Sequence, residues 1–152
     1  MTTLNDDKYL IAGIIGVISI IPSEIVSQIL IGLGYDKYST CTLSSLLVTG
    51  DKPSLIMGII VNSVIAGSVG MILYQTIKKI GSQHLAIKCV GVTLLIWLSL
   101  ELLFTIFIER KLIAPRGMGG YYSHFFGAIT FGITEGILFD KFLFYKNMAH
   151  KD

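Results

Sequence analysis

Long apolar stretches separated by short polar segments dominate this chain. Four of them cover residues 9–33, 54–77, 85–108 and 121–144. A helix needs about 20 consecutive apolar residues to cross the hydrocarbon core of a bilayer, and each stretch is long enough. None alternates apolar and polar residues as a strand does. The pattern predicts an all-α polytopic membrane protein, with residues 1–152 forming one domain of four transmembrane helices in a bundle.

The first predicted span carries a proline near its middle. Pro22-Ser23-Glu24 is typical of a helix start, with proline at the first position and a hydroxyl and a carboxylate in the first turn. A proline inside a helix removes one backbone hydrogen bond and clashes with the preceding turn. We therefore expect span one to be kinked or broken at Pro22. Broken helices build ion sites in transporters, and a kink without function is the alternative.

The connection between spans one and two, residues 34–53, contains a leucine pattern. Leu43, Leu46 and Leu47 follow helical spacing and predict a short interfacial helix, with an ordinary polar loop as the alternative. The third connection contains a glycine-rich segment, residues 115–120, which predicts a flexible turn before span four.

The composition agrees with a membrane protein. Hydrophobic residues make up 53% of the chain and charged residues only 14%, against about 25% charged in soluble domains. The net charge of +2 gives no basis for nucleic-acid binding. Residues 1–8 lack the basic region of a signal peptide, so we expect the first span to be retained.

Basic residues beside the spans indicate an orientation. The side of the two termini carries seven, and the opposite side, called distal here, carries five. The terminal-side residues are Lys8, Lys78, Lys79, Lys88, Lys141, Lys146 and Lys151, and the distal ones are Lys37, Lys52, Arg110, Lys111 and Arg116. The bias favours cytoplasmic termini in a bacterial inner membrane, and insertion in both orientations stays open.

Three glutamates, Glu24, Glu101 and Glu135, lie inside predicted spans. An ionisable group there costs about 3 kcal/mol on insertion scales, so such groups are candidates for transport or proton binding. From the helical rise, Glu24, Asn62, Glu101 and Thr130 lie about 10 to 13 Å from the distal end. We expect a polar layer at this depth with Glu24 and Glu101 as its functional pair. A purely structural hydrogen-bonding role is the alternative.

Span four adds two candidates that share one helix face. His124 and Glu135 are eleven residues apart, which is three helical turns. Together with the polar layer they would form a ladder of titratable groups suited to proton or cation movement. The alternatives are a hydrated His124 at the interface and a Glu135 that reaches the headgroups. Ser23, next to Glu24, completes the set of candidate site residues.

Trp97, Glu101 and Thr105 share a face of span three. An aromatic ring beside a carboxylate can receive an organic cation, and simple packing is the alternative reading. Small residues also form stripes, which predict close helix packing within or between subunits. The stripes are Gly16, Ser19, Ser23 and Ser27; Gly58, Asn62 and Ala66; and Gly132 with Gly136.

Enzymatic chemistry has little support in the sequence. No Cys-x-x-Cys, HExxH, G-x-S-x-G or phosphate-binding loop occurs. Cys41 and Cys89 fall in a connection and at a span end, which predicts no disulfide. We therefore expect no enzyme activity, no cofactor and no metal site.

The chain resembles a group of uncharacterised four-span membrane proteins of Gram-positive bacteria. The resemblance covers residues 11–28, 46–74 and 88–97 and is carried by Pro22-Ser23-Glu24 and by Gly50-Asp51-Lys52-Pro53. It implies four helices in a bacterial inner membrane and no particular activity.

Two functions follow as expectations. The first is a homo-oligomeric channel or transporter, such as a dimer, that uses the intramembrane carboxylates for proton or cation movement. The second is a non-catalytic membrane subunit that anchors, assembles or regulates a membrane or soluble partner. A chain of four helices leaves little room for an aqueous path, which is why the first reading includes oligomerisation.

Overall fold

The computed structural model describes residues 3–109, 111 and 113–144, and in this part of the chain the protein is all-α, as predicted. The helices are α1 (Thr3–Gly32), α2 (Thr40–Thr49), α3 (Leu55–Ile80), α4 (Leu85–Phe107) and α5 (Met118–Phe139). A π-helical segment, Asp140–Phe144, continues α5. The predicted basic residues Arg110, Lys146 and Lys151 lie outside the described residues.

Three helices are long and apolar enough to cross a membrane: Asp7–Gly32, Leu55–Ile80 and Leu85–Phe107. They match three of the four predicted spans and support assignment of the chain as a membrane protein. Helix α5 coincides with most of the fourth predicted span, and its crossing of the bilayer stays a prediction.

Helix α1 continues through Pro22 without interruption. The predicted break is therefore absent, and a kink is not confirmed. Neighbouring helices and hydroxyl side chains allow proline inside a membrane helix. Here the Ser19 hydroxyl donates to the Ile15 carbonyl within α1. The Ser23 hydroxyl donates to the Gly127 carbonyl of α5 at 2.9 Å. These two hydrogen bonds stabilise α1 before and after the proline.

The four long helices form a curved row in the order α3, α1, α5, α4. Each neighbouring pair in this row packs closely, whereas α3 and α4, at its two ends, approach each other much less closely. Helix α2 packs on α3 beside this gap. The bundle is therefore open along one side, between α3 and α4.

Small residues allow the closest approaches, as the stripes predict. A Cβ added at Gly16 of α1 would overlap the carbonyl of Ala66 in α3. On the other side of the row, a Cβ at Gly132 or Gly136 would lie 2.8 or 2.7 Å from a backbone Cα of α4. These contacts set the spacing of the row.

Helix α2 confirms the short helix predicted from the leucine pattern. Its amino end is capped by Ser39, whose hydroxyl accepts from the Thr42 N–H, and it ends before Gly50, whose φ of 71° favours glycine. Leu43 and Leu46 are buried, whereas Leu47 is exposed. The chain thus turns back after α1, and α2 leads it outward again to the start of α3.

Candidate functional site

Five ionisable side chains meet inside the distal end of the bundle: Asp36, Glu101, Glu109, Arg116 and His124. We call them the distal cluster. Their side chains are only 3 to 11% exposed. Glu101 lies on α4 and His124 on α5, while the other three lie in connections between helices. The sequence pattern predicted Glu101 and His124 as site residues, and the fold brings them together.

Arg116 is the centre of this cluster. Its Nη2 forms an ion pair with Glu101 Oε1 and lies 3.4 Å from Glu109 Oε2. Its Nη1 lies 3.0 Å from His124 Nδ1. One guanidinium therefore contacts a carboxylate on α4, a carboxylate in the connection and the imidazole on α5.

Aromatic rings and glycines hold Arg116 in the interior. Its guanidinium carbon lies 5.1 Å from the ring centre of Phe104 and 4.8 Å from that of Tyr121, at cation–π distance. A Cβ at Gly119 would overlap the Tyr35 carbonyl, and one at Gly120 would lie 3.1 Å from the Asp36 carboxylate oxygens. The glycine-rich segment thus brings the α4–α5 connection against the α1–α2 connection, a role beyond the predicted flexible turn.

Glu109 anchors the connection that carries Arg116. Its Oε1 accepts from the Arg116 backbone N–H at 2.6 Å, and its Oε2 accepts from the Tyr121 hydroxyl at 2.9 Å and from the Thr105 hydroxyl at 3.3 Å. Burial alone would raise the pKa of Glu109, but these hydrogen bonds and the charge of Arg116 outweigh burial and lower it. Glu109 is therefore a structural anion that stays charged.

Arg116 is fixed as a cation by the same contacts. Burial disfavours its charge, yet the Glu101 and Glu109 carboxylates outweigh burial and raise its pKa. The guanidinium therefore serves as a permanent positive charge, and a change in the protonation of the cluster has to occur on another group.

His124 stands between Arg116 and two carboxylates. A guanidinium has no acceptor, so the 3.0 Å contact with Arg116 Nη1 requires a lone pair on His124 Nδ1. The same Nδ1 lies 3.5 Å from Glu101 Oε2, and Nε2 lies 3.5 Å from Asp36 Oδ2. The imidazole is 4% exposed, so its predicted alternative, a hydrated ring at the interface, is wrong.

The charges of the distal cluster do not balance. Among the described members of the cluster, three carboxylates (Asp36, Glu101 and Glu109) accompany one guanidinium, which leaves an excess of two negative charges, or of one when His124 is protonated. Uncompensated buried charge is costly. An additional proton or cation would reduce this excess of negative charge.

Two adjoining cavities lead from the cluster into the bundle. The inner cavity, of about 110 Å³, lies between α1, α3, α4 and α5 and reaches down to Phe131. The outer cavity, of about 200 Å³, includes Glu101 in its wall and extends to Leu47 and Leu103, which are exposed on the outer surface. The walls shared by both cavities are Thr40, Asn62, Ile65, Trp97, Leu100 and His124.

Several polar atoms in the inner cavity wall are unpaired. Thr40 Oγ1, Thr93 Oγ1 and Trp97 Nε1 are buried and have no hydrogen-bond partner among the described residues. Buried polar groups in proteins are nearly always hydrogen-bonded. The cavity is therefore suited to water or to a ligand with polar groups.

Glu24, the other half of the predicted pair, lies in a different place. Its Oε2 accepts from the Cys41 N–H in the first turn of α2 at 3.1 Å, and its Oε1 accepts from Gln28 at 2.8 Å. In the part of the chain that is described, it shares no hydrogen-bond or ion-pair partner with Glu101. Glu24 holds the amino end of α2 and borders a groove on the outer face of α1 and α3.

The other candidate residues at or near the predicted polar layer also lie in different places. Asn62 borders both cavities, and its amide lies 3.4 Å from Cys41 Sγ. Ser23 borders the inner cavity while it donates to α5. The Thr130 hydroxyl donates to the Phe126 carbonyl of its own helix. Asn62 and Ser23 thus belong to the cavity wall, whereas Thr130 satisfies its hydroxyl locally.

Glu135 is fully buried within the bundle and does not reach the headgroups. A Cβ at Gly70 would lie 3.0 Å from its Oε1, so the carboxyl packs against the α3 backbone. Neither oxygen has a hydrogen-bond partner among residues 3–109, 111 and 113–144. Glu135 does not border the inner cavity, whose wall includes Phe131 one turn earlier on α5, and the ladder from His124 to Glu135 stays a prediction.

Sequence reasoning missed Asp36, Glu109 and Arg116 as site residues. All three lie within a few residues of a helix end, where charges are expected to face water. Tyr121 and Phe104 offered the available signal, because aromatic residues near a loop arginine favour its burial. Periodicity does not reveal which loop folds inward.

Comparisons of the chain with protein-family models, with curated proteins and with solved structures found no match.

Proposed function

We propose that this protein is a proton-linked channel or transporter, with the distal cluster as its ion-binding site. The proposal includes α5 as a fourth span, a bacterial inner membrane with both termini in the cytoplasm, and assembly as a homo-oligomer. The observation that supports it best is the position of His124 between a permanent cation and two carboxylates, at the wall of a cavity.

Two arrangements of His124 define the proposed proton cycle. When the ring is neutral, Nδ1 accepts from Arg116 and the proton is on Nε2, which lies 3.5 Å from Asp36 Oδ2. When a proton binds Nδ1, Arg116 can no longer donate to it, and the new N–H finds Glu101 Oε2, now 3.5 Å away. Proton binding thus replaces the hydrogen bond between His124 and Arg116 by one between His124 and Glu101. A two-state element of this kind can couple protonation to helix movement.

The excess of negative charge in the distal cluster favours protonation of His124. Protonation of His124 reduces the uncompensated charge of the distal cluster from two to one. The remaining negative charge is available to a transported cation. Intramembrane carboxylates and histidines serve in proton relays for this reason.

A surface groove supports oligomerisation. Glu24 and Gln28 lie in a groove of about 670 Å³ between α1 and α3, surrounded by exposed apolar residues such as Ile21, Ile25 and Ile59. A polar pair that faces lipid is costly. A second copy seated on this face would cover it, so we propose a dimer with α1 and α3 at the interface.

Proton flux in proteoliposomes that contain a pH-sensitive dye tests this function. We expect an imposed cation gradient to drive proton movement with the wild-type protein and at least tenfold less with Glu101→Gln. Glu24→Gln is the matched control, because it removes an intramembrane carboxylate outside the distal cluster, and its flux should stay within twofold of wild type.

The opposite results identify the alternatives. Equal loss in both glutamate variants would place the site in a Glu24–Glu101 layer and contradict the distal cluster. Absence of flux in a folded wild-type protein, with stable co-purification of a partner, would favour the non-catalytic subunit.

A further inference from the structure

The cavities reach the outer surface through an apolar mouth. Leu47 of α2 and Leu100 and Leu103 of α4 border the outer cavity and are each more than 40% exposed on the surface of the bundle. The mouth lies between α2 and α4, on the side where α3 and α4 pack less closely than the neighbouring helices of the row. In a membrane this position gives access from the lipid.

The electrostatics of the cavities favour a cation. Glu101 borders the outer cavity, while Arg116 does not border either cavity in the described part of the chain. The guanidinium is turned toward Glu101, Glu109 and His124. A ligand in the cavity therefore faces the carboxylate side of a cluster that is short of positive charge.

Polar groups deeper in the cavity suit an ammonium group. The Thr93 side chain is buried, with Oγ1 unpaired among the described residues, and Thr40 Oγ1 is in the same state. Both hydroxyl oxygens can accept from an ammonium N–H. The ring of Trp97, held edge to face by Phe125 at 5.6 Å, adds an aromatic surface in the same wall.

We infer that the inner and outer cavities bind a hydrophobic organic ammonium that enters from the bilayer between α2 and α4. The ammonium group lies near Glu101 and Thr40, which border the outer cavity, and the apolar body lies among Ile65, Leu100 and Leu103. This inference deepens the proposed transport function by naming its substrate class, and it rests on that function.

Competition for the Glu101 carboxylate would couple ammonium binding to proton binding at His124. Oε1 of Glu101 is held by Arg116, which leaves Oε2 for either a protonated His124 or the ligand ammonium. Asp36 faces the other ring nitrogen of His124, and Glu109 stays with Arg116 and Tyr121. Ammonium binding therefore favours release of the proton from His124, as an exchange of one cation for the other requires.

Fluorescence of Trp97 gives a direct binding measurement, because it is the one tryptophan in the chain. The purified full-length protein in detergent is titrated with n-hexylammonium, n-hexanol and n-hexanoate, which share one alkyl chain and differ in charge. We expect a saturable fluorescence change with hexylammonium only. Glu101→Gln should weaken this binding about a hundredfold, as for loss of one partner of a buried charge pair.

Thr40→Val provides an isosteric variant that removes no charge, in case Glu101→Gln fails to fold. It should weaken hexylammonium binding about tenfold through loss of a hydrogen bond to a charged group. Ser99→Ala should leave the affinity unchanged, because Ser99 is exposed on α4 and bonded within its own helix. Equal binding of the three probes, strongest binding of hexanoate, or no saturable change would each overturn the inference.

The binding and flux measurements separate the two proposals. Saturable hexylammonium binding without proton flux would leave the ligand site standing and contradict transport. Proton flux without hexylammonium binding would leave the proton-linked function standing and contradict the ligand class.

Discussion

At the scale of single residues, Arg116 determines the state of the distal cluster. It contacts two carboxylates and the imidazole, and two aromatic rings cover it. Removal of one member of a buried ion pair leaves its partners without compensation, which costs about 3 to 5 kcal/mol. The effect of losing Arg116 should therefore exceed that of losing an ordinary loop cation.

Arg116→Leu should lower the free energy of unfolding in detergent by about 3 to 5 kcal/mol, because the Glu101 and Glu109 carboxylates lose their counter-charge. Lys111→Leu is the matched control: Lys111 lies in the same connection and is exposed, so its change should stay within about 0.5 kcal/mol. Similar unfolding free energies for the two variants would contradict the central position of Arg116.

The lowered pKa of Glu109 predicts that the stability of the protein depends on pH. Its pKa is lowered in the folded protein, so it contributes stability above the pKa of the unfolded chain. That stability is lost as the pH falls through the lowered folded value. The wild-type unfolding midpoint should therefore fall on acidification below about pH 4.3, the ordinary range of a glutamate.

Glu109→Gln provides the comparison for this pH profile. The variant should be less stable than the wild type at neutral pH, and the difference should shrink toward acid pH. A difference that is constant from neutral to acid pH would contradict the assignment of Glu109 as a charged anchor.

Some members of the distal cluster could be predicted from the sequence, and others could not. Glu101 and His124 were identified because a charge or an imidazole inside an apolar run needs an explanation. Arg116 and Asp36 occur in polar connections, where a charge needs none. Their burial depends on Gly119 and Gly120, which let the two connections touch, and this contact joins residues far apart in the chain.

At the scale of helices, α2 packs on α3 and forms one wall of the open side of the row. It supplies Thr40 to both cavities, and its Cys41 N–H binds Glu24. A Cβ at Gly58 of α3 would overlap the Cys41 carbonyl. The position of α2, and with it the shape of the two cavities, depends on the absence of a side chain at Gly58.

Gly58→Ala should lower the free energy of unfolding by about 1 to 3 kcal/mol, as overpacking does, because α2 has to move away from α3. Gly91→Ala on α4 is the matched control, since nothing lies within 4 Å of its added Cβ. Hexylammonium affinity should fall with Gly58→Ala only. Unchanged stability and affinity in Gly58→Ala would contradict the contact.

The helices themselves were largely predictable. Apolar length placed α3 within three residues and α4 within one residue of their observed ends, and leucine spacing indicated α2. The relation between α2 and α1 was not predictable, because Glu24 and the Cys41 N–H form a tertiary hydrogen bond. The depth estimated from the helical rise therefore placed Glu24 in one layer with Glu101. In the structure Glu24 faces α2 and the outer groove.

At the scale of the whole molecule, the row of helices has two distinct faces. The mouth of the cavities lies between α2 and α4, and the α1–α3 groove contains Glu24 and Gln28. A dimer formed through the groove would leave the mouth open to lipid in both subunits. Assembly and ligand access are therefore compatible.

Ser63→Trp should convert the proposed dimer to a monomer, because Ser63 lies in the groove and a large ring would block the partner. Ser99→Trp on the exposed side of α4 is the matched control and should remain dimeric. Sedimentation in density-matched detergent distinguishes the 16.7 kDa chain from twice this mass. A monomeric wild type, or a dimeric Ser63→Trp, would contradict the interface.

Nitrogen NMR of ¹⁵N-histidine-labelled protein tests most directly whether His124 exchanges Arg116 for Glu101 as it binds a proton. The signals of His124 are assigned by their absence in His124→Gln, which separates them from the other two histidines. We expect the neutral ring to carry its proton on Nε2, because Nδ1 accepts from Arg116, and acidification to protonate Nδ1 in the wild type. A neutral ring protonated on Nδ1, or a ring that gains no proton on acidification, would contradict the proposed proton site.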